Sequence, residues 1–211
     1  EQVVLLGAGY DTRAYRFASK LAGRPVFEVD FPATSRRKAK IVARHRSALP
    51  AADVRIIEID FQKESLRNRL GEAGFRRGAR TFFAWEGVAM YLSREAVKAT
   101  LTDLRESSAA GSGLAMDLWY LPDGADLLST AHRLGASALS LVGEPVTFAM
   151  HPEDAGPFLD RLGFRVLEIA DAEALKQRYV RDRRRVYGAA YMLHAATRRP
   201  SGTRSSGKES R

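Results

Sequence analysis

The residue types best suited to chemistry lie in the stretch VVLLGAGYDTRAYR, residues 3–16. Its four leading apolar residues predict a buried strand, Gly7-Ala8-Gly9 predicts a tight turn, and Asp11 can cap a following helix. Glycine lets a backbone approach a ligand closely, and a helix N-terminus presents N–H groups without intrahelical partners. This stretch therefore predicts a ligand site that includes Gly7, Ala8, Gly9 and Asp11.

The spacing of the glycines limits what that ligand is. A dinucleotide fingerprint needs G-x-G-x-x-G, and this chain has Thr12 at the third glycine position. A pyrophosphate is therefore less well supported than another ligand group. An ordinary strand-to-helix turn is the alternative interpretation of the same residues.

Composition excludes several classes of protein. The 211 residues suit one domain, and the absence of cysteine excludes disulfides and thiol chemistry and fits a cytoplasmic protein. No apolar run approaches the roughly 20 residues of a membrane span. Because the chain starts at Glu1 and enters a strand almost at once, we expect a fragment or a gene that lacks its usual beginning.

The net charge of +9 is concentrated in two segments near the end of the chain. Residues 176–185 contain six basic residues against one acid, and residues 198–211 contain five against one. Such segments can attract nucleic acid or acidic membranes. Since no aromatic residues are interleaved with the charge, the favoured interpretation is a solvated helix and a disordered basic tail over 198–211. We therefore expect neither a nucleic-acid partner nor a membrane partner.

Strands alternate with helices through the first part of the chain, which predicts a parallel α/β sheet with helices on both faces. The predicted strands are 3–6, 26–30, 56–60, 81–85 and 113–119, and the predicted helices are 12–21, 32–47, 66–70 and 94–108. Beyond Trp119 the pattern predicts a lid-like helical insertion within 120–150, a helix over 152–162 and a strand over 163–167. A last strand over 185–195 has Val186, Ala190 and Met192 on one alternating face.

The carboxyl ends of parallel strands meet at one edge of a sheet, where ligands bind. The second predicted strand ends at Asp30, 23 positions after Gly7, where a carboxylate can accept hydrogen bonds from two ribose hydroxyls. The third ends at Asp60 and Phe61, which suit the amino group and the ring of an adenine. Each acid alone could be a helix cap or a surface charge. Together they predict a pocket for an adenosine-bearing ligand.

Four motifs in this order resemble one family. They are GAGYDTRAYR, FEVDFP (27–32), IDF (59–61) and WEGVAMYLS (85–93). The chain up to about residue 197 is similar to the S-adenosylmethionine-dependent methyltransferases of the leucine carboxyl methyltransferase family, and within it to a bacterial O-methyltransferase branch. The resemblance implies a class I methyltransferase domain over 1–197, with seven strands ordered 3-2-1-4-5-7-6 and strand seven antiparallel.

The resemblance also implies roles for single residues. Gly7 and Gly9 would line the methionine part of S-adenosylmethionine, and Glu86 would contact its amino end. Asp30 would bind the ribose, and Asp60 with Phe61 would hold the adenine. No metal is implied.

Two departures from related enzymes matter. Leu5 stands where generic class I methyltransferases have an acid, which is normal for this family. The family's N-terminal helical region, with an arginine that pairs with the cofactor carboxylate, has no counterpart before the first strand. Loss of one charged contact of this kind costs about 1.5–3 kcal/mol, or roughly tenfold to a hundredfold in affinity. We therefore expect impaired cofactor binding.

The implied reaction moves a methyl group to an oxygen of a small-molecule or peptide acceptor. A carboxylate acceptor is already ionised and needs no general base, whereas a hydroxyl needs one. We assign no catalytic residue. Tyr91, Trp119 and Tyr120 are candidates to line the acceptor pocket, with core packing as the alternative. His132 and His151 are interpreted as ordinary histidines, and His151 can simply precede a helix.

Two other functions stay open at the level of sequence. A nicotinamide-dependent oxidoreductase would also use Gly-x-Gly and Asp30, although Thr12 and the Asp60-Phe61 pair count against it. A noncatalytic module that binds an adenosyl ligand or nucleic acid is the second alternative. The identity of the acceptor and the oligomeric state cannot be read from this sequence.

Overall fold

A seven-stranded sheet organises the molecule, and the computed structural model describes residues 1–120 and 146–198 of it. Short apolar runs form the strands, and several of them are rich in β-branched or aromatic residues. These strands are β1 (Gln2–Leu6), β2 (Val26–Asp30), β3 (Val54–Glu58), β4 (Thr81–Trp85), β5 (Gly113–Trp119), β6 (Phe164–Ala170) and β7 (Ala190–Thr197).

The strand order is β3-β2-β1-β4-β5-β7-β6. The first five strands pair in parallel, and β7 runs antiparallel to both β5 and β6. The order reverses between β2-β1 and β4, so the turns after β1 and β4 lie side by side at the carboxyl edge. A crevice at such a switch point is where open α/β sheets bind ligands. The predicted order and the antiparallel seventh strand are confirmed.

Six helices connect the strands in the described part of the chain. They are α1 (Arg13–Arg16), α2 (Pro32–Arg44), α3 (Leu66–Glu72), α4 (Arg94–Ser107), α5 (Pro152–Arg161) and α6 (Ala172–Tyr179). Two short 3-10 helices span Arg46–Ala48 and Ala89–Tyr91. Proline at the first position of α2 and α5 suits a helix start, because its missing N–H would have no partner there.

Alternate residues of the strands feed two apolar clusters on opposite faces of the sheet. Val4 and Leu6 of β1 belong to the larger cluster, which α3, α4 and α5 cover. Leu5 belongs to the smaller cluster, which α1 covers through Ala14 and Tyr15, with Val42 of α2 packed against it. Helices therefore lie on both faces, as predicted.

The smaller cluster stops short of the half of the sheet that contains β5, β7 and β6. On β4, Phe83 faces the large cluster and is 0% exposed, whereas its neighbour Phe82 points to the other face and is 43% exposed. Leu167 and His194 are also exposed and line one groove with Phe82. None of the described helices packs over this part of the sheet.

The helix predicted over 12–21 is wrong in length, because α1 ends at Arg16. Ala14 and Tyr15 are 1% and 5% exposed, whereas Phe17 is 40% exposed, so the buried residues are those of the short helix itself. After Arg16 the backbone forms turns, in which the Ala18 N–H donates to the Tyr15 carbonyl (3.1 Å).

The last strand was predicted five residues too early and on the wrong face. β7 begins at Ala190, and its buried residues are Tyr191, Leu193 and Ala195 rather than the face of Ala190 and Met192. Both faces of this strand contain small or apolar residues, so alternation alone does not select one. The signal was His194, a polar residue on the exposed face.

Other boundaries need smaller corrections. β3 begins two residues before the predicted start and ends at Glu58, although the Ile59 N–H still donates to the Asp30 carbonyl (2.9 Å). α6 contains part of the basic segment over 176–185 and buries no residue, as a solvated helix does. The predicted insertion over 120–150 and the predicted tail over 198–211 lie almost entirely outside the described residues. Nowhere in residues 1–120 and 146–198 is a helix both long enough and apolar enough to span a membrane.

Candidate active site

The turn after β1 is bound to the end of β2. The N–H groups of Gly7 and Ala8 both donate to the Val29 carbonyl, at 2.8 and 3.1 Å. Gly7 has φ of +66°, and a Cβ at this position would overlap Cγ2 of Val88, which lies in the loop after β4. Only glycine combines this backbone conformation with so close an approach. The turn therefore lies directly against the β4 loop at the switch point.

Asp30 ends β2 with its carboxylate directed at the same turn. Its Oδ2 accepts from the Gly9 N–H (2.5 Å), and its Oδ1 accepts from the Phe31 N–H (2.6 Å). A carboxylate has about four acceptor positions, so these two bonds leave it able to accept from ligand hydroxyls. Gly9 and Asp30, predicted as parts of one site, are in contact.

Asp60 and Phe61 follow β3 at the same edge of the sheet. Asp60 accepts from the Gln62 N–H (3.0 Å) and pairs with Lys63 (3.1 Å). Partial burial raises the pKa of Asp60, but the contacts with Gln62 and Lys63 outweigh it and hold the pKa below its ordinary value. The Phe61 ring stacks on Trp85, with ring centroids 6.4 Å apart.

A cavity of about 400 Å³ opens beside Phe61, between the β3–α3 loop and the first turns of α4. Ser93, the N-cap of α4, lines it and donates to Gln62 Oε1 (3.0 Å). Phe61 therefore has one ring face on the core and borders open space, as a residue that packs on a ligand ring must.

Glu86 follows β4 and forms a charged cluster with two residues of the β1–α1 segment. Arg13 Nη2 donates to Glu86 Oε2 (2.5 Å), and Arg13 Nε donates to Asp11 Oδ2 (2.6 Å). Asp11 Oδ1 also accepts from the Arg13 N–H (2.6 Å), as expected for an acid at a helix start. Burial lowers the pKa of Arg13, but the hydrogen bonds to Glu86 and Asp11 outweigh it and raise the pKa overall.

Asp117 of β5 supports the Glu86-Gly87 turn from the neighbouring strand. Its Oδ1 accepts from the Gly87 N–H (2.7 Å), and its Oδ2 accepts from Trp119 Nε1 (3.2 Å). Burial raises the pKa of Asp117; its hydrogen bonds oppose this rise without cancelling it, and the charge of Glu86 adds to it. This carboxylate therefore connects the end of β4 with an aromatic side chain.

The three predicted acceptor-pocket residues differ in their surroundings. Trp119 packs against Tyr187 (ring centroids 5.0 Å apart) beside Asp117. Tyr120 instead donates its hydroxyl to the Gly188 carbonyl (2.8 Å) and packs on the large core, so packing is a sufficient reason for this residue. Tyr91 is half-buried at the end of the second 3-10 helix.

His151 directly precedes α5, as predicted, and its ring packs beside Tyr120 (centroids 5.4 Å apart). His132 lies outside the described residues. Among residues 1–120 and 146–198, no group of three or more His, Asp or Glu side chains is arranged to hold a metal ion.

Three residues of the site were missed at the level of sequence: Arg13, Asp117 and Tyr187. Asp117 had a signal, because it is a lone charge within the strand GLAMDLW. Arg13 had no such signal, because its type and position are those of an ordinary basic residue on a helix. The contacts of Arg13 and Tyr187 join segments far apart in the chain, so local patterns do not predict them.

The strand order and the antiparallel seventh strand define the class of fold. The sheet is that of class I methyltransferases. An O-methyltransferase family protein from Burkholderia thailandensis superposes with a TM-score of 0.60 at 16% identity, over 96% of this chain and 52% of that one. The magnesium protoporphyrin IX methyltransferase of Synechocystis PCC 6803, solved with bound SAH, superposes with a TM-score of 0.56 at 14% identity. The superposition covers 92% of this chain and 73% of that one. Identities this low show the fold alone.

Sequence similarity identifies the family. The model of the family described as "Leucine carboxyl methyltransferase" matches residues 1–105, which contain β1 to β4 and most of α4. A Mycobacterium avium protein, named "Putative S-adenosyl-L-methionine-dependent methyltransferase", is 33% identical over 183 residues, covering 82% of this chain and 57% of that protein. The chain belongs to the leucine carboxyl methyltransferase family. It spans a little over half the length of this relative.

Proposed function

We propose that this chain binds S-adenosylmethionine at the carboxyl edge of β1 to β4 and belongs to an enzyme that transfers methyl to an oxygen atom. One observation carries the proposal. The Gly7–Gly9 turn contacts Asp30 on one side and packs against Val88 of the β4 loop on the other, so this turn and two acids, Asp30 and Glu86, meet at the switch point of the sheet. The name of the mycobacterial relative supports the same ligand.

The residues present fit that ligand. Gly7 has no space for a Cβ, and its neighbour Gly9 leaves the crevice floor as backbone. Asp30 can accept from ribose hydroxyls, and Phe61 borders the cavity in which an adenine would pack. Glu86 can accept from an ammonium group. When bound, S-adenosylmethionine supplies an electrophilic methyl group on a sulfonium.

The chain's own contribution to transfer is position and exclusion of water. Trp119 and Tyr187 form an aromatic pair beside Asp117 at the end of β5, the strand next to β4. An aromatic or other apolar acceptor would pack on this pair. A carboxylate acceptor needs no proton removed, so no general base is required for it. The Burkholderia neighbour, titled an O-methyltransferase family protein, supports oxygen as the acceptor atom.

Calorimetry tests cofactor binding. We expect this chain to bind S-adenosylmethionine, and Asp30→Ala to weaken binding at least tenfold, or about 1.4 kcal/mol. The matched control is Asp53→Ala, an exposed acid preceding β3 that pairs with Arg55 and should leave binding unchanged. Binding of NADH in place of S-adenosylmethionine would overturn the proposal in favour of an oxidoreductase.

The fate of the methyl group tests the acceptor atom. Incubation with methyl-labelled S-adenosylmethionine and a panel of aromatic carboxylic acids and phenols should label a small molecule. A methyl ester releases labelled methanol in alkali, whereas a phenol ether does not. Label that resists alkali and resides on nitrogen or carbon would contradict oxygen transfer while leaving cofactor binding intact.

A further inference from the structure

The charged cluster of Asp11, Arg13 and Glu86 includes an arginine to which the proposed function assigns no role. Arg13 is held by Asp11 through both its backbone N–H and its Nε, and its Nη2 reaches across to Glu86. The Asp11 side chain is largely buried at 12% exposure, whereas the Arg13 and Glu86 side chains are each about a third exposed, at 34% and 39%. Asp11 therefore holds the guanidinium, and Arg13 and Glu86 lie in contact and partly exposed just after β1 and β4.

Arg13 and Glu86 are a cation and an anion in contact, so together they can bind a ligand that has both an anionic and a cationic group. The amino-acid end of S-adenosylmethionine has an ammonium and a carboxylate on a single carbon atom. A guanidinium has five N–H donors, and its bonds to Asp11 and Glu86 use two of them. The remaining donors can form the short, charge-assisted bonds that guanidinium groups make with carboxylates.

We propose that Arg13 binds the carboxylate of the cofactor's amino-acid end, beside the ammonium group already expected at Glu86. This inference rests on the proposed binding of S-adenosylmethionine. In the absence of ligand, Arg13 and Glu86 satisfy each other, and the ligand replaces one ion pair by two. Asp11 is a positioning residue, because its carboxylate accepts from both the backbone N–H and the Nε of Arg13. Arg13 thereby supplies a carboxylate partner from within α1.

Two ligands separate this role from a structural one. S-adenosylhomocysteine has both charged groups, whereas 5′-methylthioadenosine has the same adenosine and thioether without the amino-acid end. We expect Arg13→Gln to lower the affinity for S-adenosylhomocysteine at least tenfold in calorimetry. The affinity for 5′-methylthioadenosine should change less than twofold. Arg13→Lys should recover part of the loss. The matched control is Arg16→Gln, an exposed arginine of α1 that donates to Thr12 and should change neither affinity.

Removal of Arg13 also leaves Asp11 and Glu86 as two facing acids, which could distort the turn. The double variant Asp11→Asn/Arg13→Gln removes this repulsion and should show the same selective loss for S-adenosylhomocysteine. Equal losses for both ligands in the double variant, or no loss for either, would overturn the role of Arg13. If the unaltered chain binds neither ligand, the proposed function fails and this inference fails with it.

Discussion

Gly7 shows how one residue determines the shape of the crevice. Its φ of +66° is costly for any residue with a side chain, and a Cβ would overlap Val88. We expect Gly7→Ala to destabilise the fold by about 1–2 kcal/mol from the backbone conformation alone, with more from the overlap, and to abolish ligand binding. Urea unfolding and calorimetry measure the two effects.

Gly71 is the matched control for that substitution. It lies in α3 with open space around its Cα, so Gly71→Ala should be neutral or stabilise the protein by up to about 1 kcal/mol. Val88→Ala in the Gly7→Ala background should recover part of the stability by relieving the overlap. Equal unfolding midpoints for Gly7→Ala and Gly71→Ala would contradict the close approach of the two loops.

Asp117 gives stability a specific pH dependence. Its pKa in the folded state lies above the ordinary value of 3.8, so folding favours the protonated form. Its stabilising contribution is therefore complete below about pH 3.8 and is lost as the pH rises through the folded-state pKa. Asp117→Asn should remove this dependence of the unfolding free energy on pH. The difference in unfolding free energy between the two proteins should therefore change between about pH 3.8 and the folded-state pKa of Asp117. A constant difference across pH would contradict the raised pKa.

At the scale of elements, β2 and α2 are joined by a buried ion pair. Lys38 Nζ lies 2.7 Å from Glu28 Oε2, and both side chains are almost fully buried, at 7% and 2% exposure. Burial raises the pKa of Glu28, and Lys38 opposes this rise without cancelling it. A pair of this kind need not be favourable overall, but the loss of one partner leaves a buried charge uncompensated.

We therefore expect Lys38→Met to destabilise the protein by about 3–5 kcal/mol in urea unfolding. Lys40→Met, on the exposed side of the same helix, should change stability by no more than about 0.5 kcal/mol. The double variant Glu28→Gln/Lys38→Met has no buried charge and should recover much of the loss. If Lys38→Met and Lys40→Met lower the free energy of unfolding equally, then Lys38 does not compensate the buried charge of Glu28.

At the scale of the molecule, the two faces of the sheet differ in how far they are covered. Phe83 and Phe82 are adjacent in β4 and point to opposite faces. Phe83→Ala should cost about 3–5 kcal/mol of unfolding free energy, because it leaves a cavity in the large cluster. Phe82→Ala should cost far less, since the side chain is already 43% exposed. Similar losses would show that both faces are buried in solution.

The positions of several strands could be predicted from the sequence because local patterns of apolar residues determine them. The bounds of β2, β4 and β5 were predicted correctly, since each is a short apolar run between clear turn signals. The strand order came from the four motifs and their resemblance to a family, not from periodicity. Two errors were the length of α1, which apolar spacing does not determine, and the buried face of β7, where small or apolar residues lie on both faces.

The candidate site divides in the same way. Local patterns were enough to predict that these residues lie at or just after the ends of the first four strands, because position relative to a strand is a local property. The residues are Gly7, Gly9, Asp30, Asp60 and Glu86. Three contacts could be seen only in the folded molecule: Arg13 with Glu86, Asp117 with Gly87, and Lys38 buried against Glu28. Those contacts join residues separated by 10 to 73 positions. They depend on the order and spacing of the strands and helices, which no local pattern contains.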